Sequence, residues 1–306
     1  MDFSHIIDPA LFSSVGRALI PILLAALGGL LCERAGIFNI ALEGMMLIGA
    51  FSAVAGSYFT GYAFLGVVTA VIASVLFSLI LSFGSITRSA EPIVLGVAMN
   101  ILAVGVTSFL LVALFDTRGV FNDAGIIGLP KLTIPGLSSL PWVGPALFHM
   151  TWLGYAALLL VPAIWFMLFR TPWGMRLRGV GERPVAAQTL GVNPTRYQYA
   201  AVLGSGVLTG LAGAQLALGN VAQFAEDMAA GRGWIAVVAV MLARANPVAT
   251  LGAALLFGFA EAVGYRFQAY GLPAQITEAA PYVVTLLALL LAAKQFRRGR
   301  STVGVT

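Results

Sequence analysis

Long apolar runs dominate the chain, each broken by Gly, Pro or a short charged cluster. A helix rising 1.5 Å per residue needs about 20 such residues to cross a bilayer core. Runs near that length fall at roughly 15–32, 37–56, 62–83, 92–114, 151–169, 198–218 and 248–265, with a shorter last one at 280–293. A further apolar run at 233–243 is barely half a bilayer long, so it is either a short tilted span or a re-entrant piece. The pattern predicts an all-α integral membrane protein, a polytopic helix bundle of about nine transmembrane helices with a range of eight to ten. Tight connections are expected at Glu33–Gly36, at a Gly/Tyr turn before the third span and at a short loop holding Arg88 and Glu91. Residues from about 116 to 150 carry Pro130, Pro135, Pro141 and Pro145 with several Gly. They are too polar and too broken to cross, and belong outside the bilayer core.

The strongest cationic break lies at 170–199. Arg170, Arg176, Arg178, Arg183 and Arg196 stand there against a single acid, Glu182. Lys/Arg bias sets orientation in membranes, so this stretch is expected to be cytoplasmic. With nine spans, Arg34, Arg88, Arg244 and the tail cations Lys294, Arg297, Arg298 and Arg300 fall on the same side. Arg17, Arg118, Lys131, Arg232 and Arg266 fall on the other. The N-terminus is then outside and the C-terminus cytoplasmic. Within the basic stretch, Pro184 suits a first helical turn, Val185 to Leu190 continue it, and Gly191 stops it. Asn193-Pro194 turns the chain back to the membrane. A short helix outside the bilayer is either a packed connector or a docking element for a cytoplasmic partner.

Gly181-Glu182-Arg183-Pro184-x-Ala186-Ala187-x-x-x-Gly191 resembles the cytoplasmic coupling motif of bacterial ABC importer permeases of the ribose and nucleoside type. The stretches Gly28–Phe51 and Asp227–Val263 are similar to the same simple-sugar and nucleoside permeases, so the resemblance runs through nearly the whole chain. In one respect the chain departs from the motif: Val185 stands where the wider motif begins with Glu. The resemblance implies a single permease domain over 1–306, with an external loop at about 116–150 and a cytoplasmic coupling loop at about 170–198. It implies import of nucleosides or simple sugars through the inner membrane of a bacterial cell. The implied partners are a separate cytoplasmic ABC ATPase, an external substrate-binding lipoprotein and a second permease, with a heterodimer favoured. Gly181, Glu182, Arg183, Pro184, Ala186, Ala187, Leu190 and Gly191 are then the expected ATPase-coupling residues.

Composition agrees and narrows the alternatives. The chain is 59% hydrophobic and 9% charged, with a mean hydropathy of +0.95, far from a soluble domain. Its 17 Lys and Arg form no dense patch, so positive-inside bias explains them and no nucleic-acid partner is expected. Cys32 is alone, which excludes an internal disulfide and a thiolate metal cluster. His5 and His149 have no second ligand at metal spacing, and no cofactor is expected. The first 16 residues lack Lys and Arg and carry Asp2 and Asp8, so a cleaved secretory signal is not expected. No GxxxxGK[ST] occurs, so ATP chemistry must reside on another polypeptide and this chain is not an enzyme. The reading from a different class is a self-sufficient proton-coupled transporter, with Glu43 or Glu261 carrying the proton.

Polar residues inside the spans are the candidates for the solute path: Asn39, Glu43, Asn100, Gln215 and Glu261. If the second span starts near Ile37, Glu43 lies roughly 9–10 Å into the bilayer, with Asn39 one turn before it on the same face. A charged group in lipid costs about 2.5 kcal/mol or more, so both acids must face protein or water. They either lock helices together or line the path. Glu226, Asp227 and Arg232 are expected in a solvated external loop. Gly204, Gly206, Gly210, Gly213 and Ala214 predict close approach of the sixth span to its neighbours.

Overall fold

A computed structural model describes residues 9–133, 149–269 and Val283. Its helices are α1 (Pro9–Arg34), α2 (Leu42–Thr60), α3 (Ala63–Leu81), α4 (Pro92–Phe115), α5 (Trp152–Arg170), α6 (Pro172–Glu182), α7 (Pro184–Thr189), α8 (Pro194–Ala214), α9 (Arg232–Leu242) and α10 (Pro247–Ala269). One π-helical segment prolongs α3 over Ser82–Thr87 and another prolongs α8 over Gln215–Val221. Among the described residues, seven helices are long and apolar enough to cross a membrane, and the 11-residue α9 is half that length. The run at 280–293, the tail cations, His5 and residues 134–148 lie outside the described residues.

Local chemistry sets the helix starts. Pro opens α4, α6, α7 and α8, where a missing N–H costs nothing. The Glu91 carboxylate caps α4 by accepting from the N–H groups of Ile93 and Val94 at 2.7 and 2.9 Å. Thr171 and Asn193 cap α6 and α8 in the same way. The basic stretch holds a helix that its charge pattern concealed, α6, before the expected short helix α7. The second span begins at Leu42, because residues 37–40 run into the bundle without helical structure. The all-α expectation also needs a small correction. Strands β1 (Val120–Phe121) and β4 (Phe224–Ala225) pair antiparallel, as do β2 (Lys131–Thr133) and β3 (His149–Thr151).

The bundle is built around α1, α2 and α8. The most apolar window of α1 is 89% buried, against 28% for α4. Helix α8 reaches its neighbours through the glycines that its sequence set aside. A Cβ on Gly206 would lie 2.7 Å from Ser78 Oγ, and one on Gly213 would lie 2.3 Å from the carbonyl oxygen of Met46. Successive spans alternate in direction. One end gathers the α1–α2 turn, the α3–α4 loop, α6, α7 and the α9–α10 turn. Arg34 there donates to the carbonyl oxygens of Ala245 and Arg244 at 2.7 and 3.2 Å, and the Thr87 and Tyr199 hydroxyls bond at 2.5 Å. The opposite end gathers the α2–α3 turn, β1–β4 and the start of α1. Arg34, Arg88, Arg170, Arg176, Arg178, Arg183, Arg196 and Arg244 all sit at the first, basic end.

Candidate functional site

After the π segment of α8 the chain passes β4 and turns back through Asp227, Ala230 and Gly231, all at positive φ. At φ 83° Gly231 occupies a conformation that glycine alone adopts freely, and it sets up the start of α9 at Arg232. The start of a helix leaves N–H groups unpaired and carries partial positive charge. Glu43, in the first turn of α2, fills that position. Its Oε1 accepts from Gly231 N at 2.7 Å and its Oε2 from Gly233 N at 2.6 Å. Gly233 makes the approach possible, since a Cβ there would lie 2.4 Å from Glu43 N. The far end of α9 meets the Arg34 guanidinium, so both ends of this half-helix carry the charge its dipole favours. Eleven residues rise about 16 Å, half the thickness of a bilayer core. The count of depth along a helix from Ile37 does not apply, because residues 37–40 are not helical.

Arg232 then projects toward α10. Its Nη2 donates to Glu261 Oε1 at 2.5 Å and to the Tyr265 hydroxyl at 2.9 Å, and its Nη1 to the carbonyl oxygens of Met228 and Ala229. The solvated-loop reading of Arg232 is therefore corrected: it is a largely buried ion-pair partner at the start of a broken span. Glu226 does stay exposed, accepting from Gly119 N at 3.1 Å. Asp227 joins Glu43, Arg232, Glu261, Trp234, Tyr265 and Asn100 around a cavity of about 650 Å³. That volume lies within the usual range for small-molecule sites.

The five path candidates separate. Glu43, Asn100 and Glu261 line this cavity. The Asn100 amide is committed to the chain, accepting from Gly44 N at 2.8 Å and donating to the Ile40 carbonyl at 3.0 Å, so it holds the entry to α2. Asn39 does not share a helical face with Glu43, because it lies in the non-helical segment before α2. Its Nδ2 donates to Ser205 Oγ at 3.1 Å and its Oδ1 accepts from Ala41 N at 2.9 Å, which ties α2 to α8. Gln215 lines a separate cavity of about 250 Å³ near Arg17 and Lys131, and accepts from Thr151 Oγ1 at 2.6 Å. Asp227, Arg232, Trp234 and Tyr265 were absent from the candidates. Their signal was Gly231-Arg232-Gly233-Trp234, a cation between glycines immediately before a run too short to span.

At the basic end, α7 forms where expected and Gly191, at φ 79°, ends it. Glu182, Arg183, Pro184 and Ala186 are exposed. Leu190 and Val185 are apolar yet 83% and 74% exposed. Ala187 corrects the expectation that it points outward, because it is 7% exposed and turned into the chain's own fold. Gly181 also serves internal packing, as a Cβ there would lie 2.3 Å from the Arg34 carbonyl oxygen.

A broken half-helix facing a cavity lined by charged groups, in an apolar bundle with helices displayed at one end, defines a membrane transport subunit. The chain belongs to the family described as branched-chain amino acid transport system, permease component, whose model matches residues 11–293. It is 37% identical over 284 residues to the guanosine ABC transporter permease protein NupQ of Bacillus subtilis, covering 88% of this chain and 87% of that one. It is 36% identical over 282 residues to the nucleoside ABC transporter permease protein NupC of Lactococcus lactis, covering 89% and 88%. A solved ABC transporter in an inward-facing conformation shares the fold at 16% identity and a TM-score of 0.54, over 92% of this chain and 85% of that one. The chain is an ABC transporter permease, a multi-pass membrane subunit and not an enzyme.

Proposed function

We propose that this permease forms the import path for a neutral nucleoside, or a simple sugar, released to it by an external binding protein. ATP is hydrolysed by a separate ATPase docked at the basic end, which is then cytoplasmic, with the N-terminus outside and the protein in a bacterial inner membrane. The observation that carries this reading is the 650 Å³ cavity at the start of α9, lined by Glu43, Asp227, Arg232 and Glu261. Polar groups inside a bilayer do not face lipid, and a second permease, a related chain rather than a copy, completes the path. Of the five candidates read from sequence, Glu261 is the one retained as a solute contact, beside Asp227. Glu43 and Asn100 are assigned to holding the wall, and Asn39 and Gln215 to helix packing. The coupling element is α6–α7, displayed through Val185 and Leu190.

The test is uptake of labelled guanosine by cells carrying the complete transporter, with ATP depleted and the proton gradient held. Uptake should stop. Uptake that persists on the gradient alone would favour a proton-coupled carrier and overturn the ATP-driven reading.

A further inference from the structure

The cavity's charged lining is unbalanced. Three carboxyl groups, Glu43, Asp227 and Glu261, face a single guanidinium, Arg232. The Arg232 donors are already engaged: Nη1 by two backbone carbonyls, and Nη2 by Glu261 and Tyr265. Glu43 has both oxygens taken by the start of α9. Two acceptors are left over. Glu261 Oε2 is buried with no hydrogen-bond partner among the described residues, on a side chain only 9% exposed. The Asp227 carboxylate lines the same space from an exposed turn and has no hydrogen-bond partner among the described residues. A buried acceptor without a donor is costly in the empty protein, which points to a ligand that supplies one. Trp234, 40% exposed, adds a flat apolar wall.

We propose that this cavity is a charge filter set by Asp227: it takes uncharged solutes that present hydroxyl or N–H donors beside a flat face, and rejects their phosphate esters. The proposal rests on the transport reading above and adds its specificity. A phosphate would meet the Asp227 carboxylate and the unbonded oxygen of Glu261 in the same cavity. At an effective dielectric near 20, one like-charge pair about 6 Å apart corresponds to about a hundredfold loss of affinity. The filter gives the permease a reason to keep a net negative cavity for a neutral solute, since it would hold phosphorylated metabolites inside the cell while their parents enter.

The experiment measures binding to the whole permease–ATPase complex in lipid nanodiscs, with the binding protein left out so that only this site selects. The probes are guanosine with guanosine 5′-monophosphate, and glucose with glucose 6-phosphate. Wild type should bind one neutral probe and discriminate against its ester by at least about a hundredfold. Asp227→Asn should narrow that ratio about a hundredfold, since one such like-charge pair is lost, and Asp227→Lys should narrow it further. Asn accepts the positive φ of this position as readily as Asp, so Asp227→Asn is expected to fold, and its melting temperature checks this. Equal competition by the ester in wild type, or a ratio unmoved by either substitution, would overturn the filter. Cellular uptake of the same neutral probe separates the two claims. Uptake with an unmoved ratio removes the filter and leaves the transport reading. Absence of ATP-dependent uptake for both neutral probes removes the transport reading as well.

Discussion

The start of α9 and the start of α7 are both short helices outside the continuous spans, yet they are finished in opposite ways. At α9 the chain completes itself: Glu43 caps one end, Arg34 the other, and Gly233 lets α2 nest against the turn. At α7 the chain turns Ala187 inward and leaves Val185 and Leu190 bare. Burial of a helix start in a membrane demands that every N–H be satisfied within the chain, whereas a helix in water can leave its apolar side for another protein to cover. The first region is a device of this chain alone. The second, on the reading proposed above, is half of an interface.

The contrast breaks most severely at Gly233. Gly233→Val would drive side-chain atoms into the Glu43 backbone, and overpacking of this kind costs about 1–3 kcal/mol or more. Little folded permease should be recovered, as judged by gel filtration of detergent-extracted membranes. Glu43→Lys should fail by the same measurement, since it sets a cation against the positive end of α9 and leaves two N–H groups unpaired. Glu43→Gln retains one acceptor, so it should fold with a melting temperature lowered by a loss of about 1–3 kcal/mol.

The buried pair comes next. Arg232→Leu or Glu261→Leu alone strands a charge and should cost about 3–5 kcal/mol. The double substitution should recover much of that stability in a double-mutant cycle while leaving solute uptake absent. Recovery of uptake along with stability would make the pair a brace with no role at the solute.

At α7 the expected effects are on partnership, not on folding. Val185→Glu with Leu190→Glu alters exposed positions, so thermal stability should stay within about 0.5 kcal/mol. Co-purification of the ATPase should be lost. Ala187→Glu should instead destabilise the permease itself, because a charge would be buried there. If the exposed pair is silent and the ATPase still binds, α7 is a connector. The smallest effect is expected from Gln215→Ala, a loss of about 1–3 kcal/mol in stability with solute affinity unchanged, read by melting and by binding in the same nanodiscs.

Much of this was legible in the residues themselves. Apolar run lengths give the number and order of the full-length spans through Ala269, because lipid leaves a backbone few alternatives to a helix. The Pro184–Gly191 helix and its stop follow from local conformational preference, and the glycines of α8 announce close packing. The run at 233–243 was recognisably too short to cross. What it was for could not be read from its own residues.

Only the tertiary structure decided that, because the acid that caps α9 is Glu43, far away in the chain. The same distance defeats local reading of Asn39, whose separation from Glu43 suggests one helical turn although Asn39 precedes the helix that starts at Leu42. Arg232 reads as a loop cation beside Glu226 and Asp227, but its partner is Glu261 on α10. Ala187 on α7 and Leu190 just after it stand three residues apart, and only the packing of α7 against the chain shows which of them faces outward. Run length and local preference act over a few residues and are written in order. The choice of partner for a buried charge is made across the bundle, where sequence order no longer measures distance.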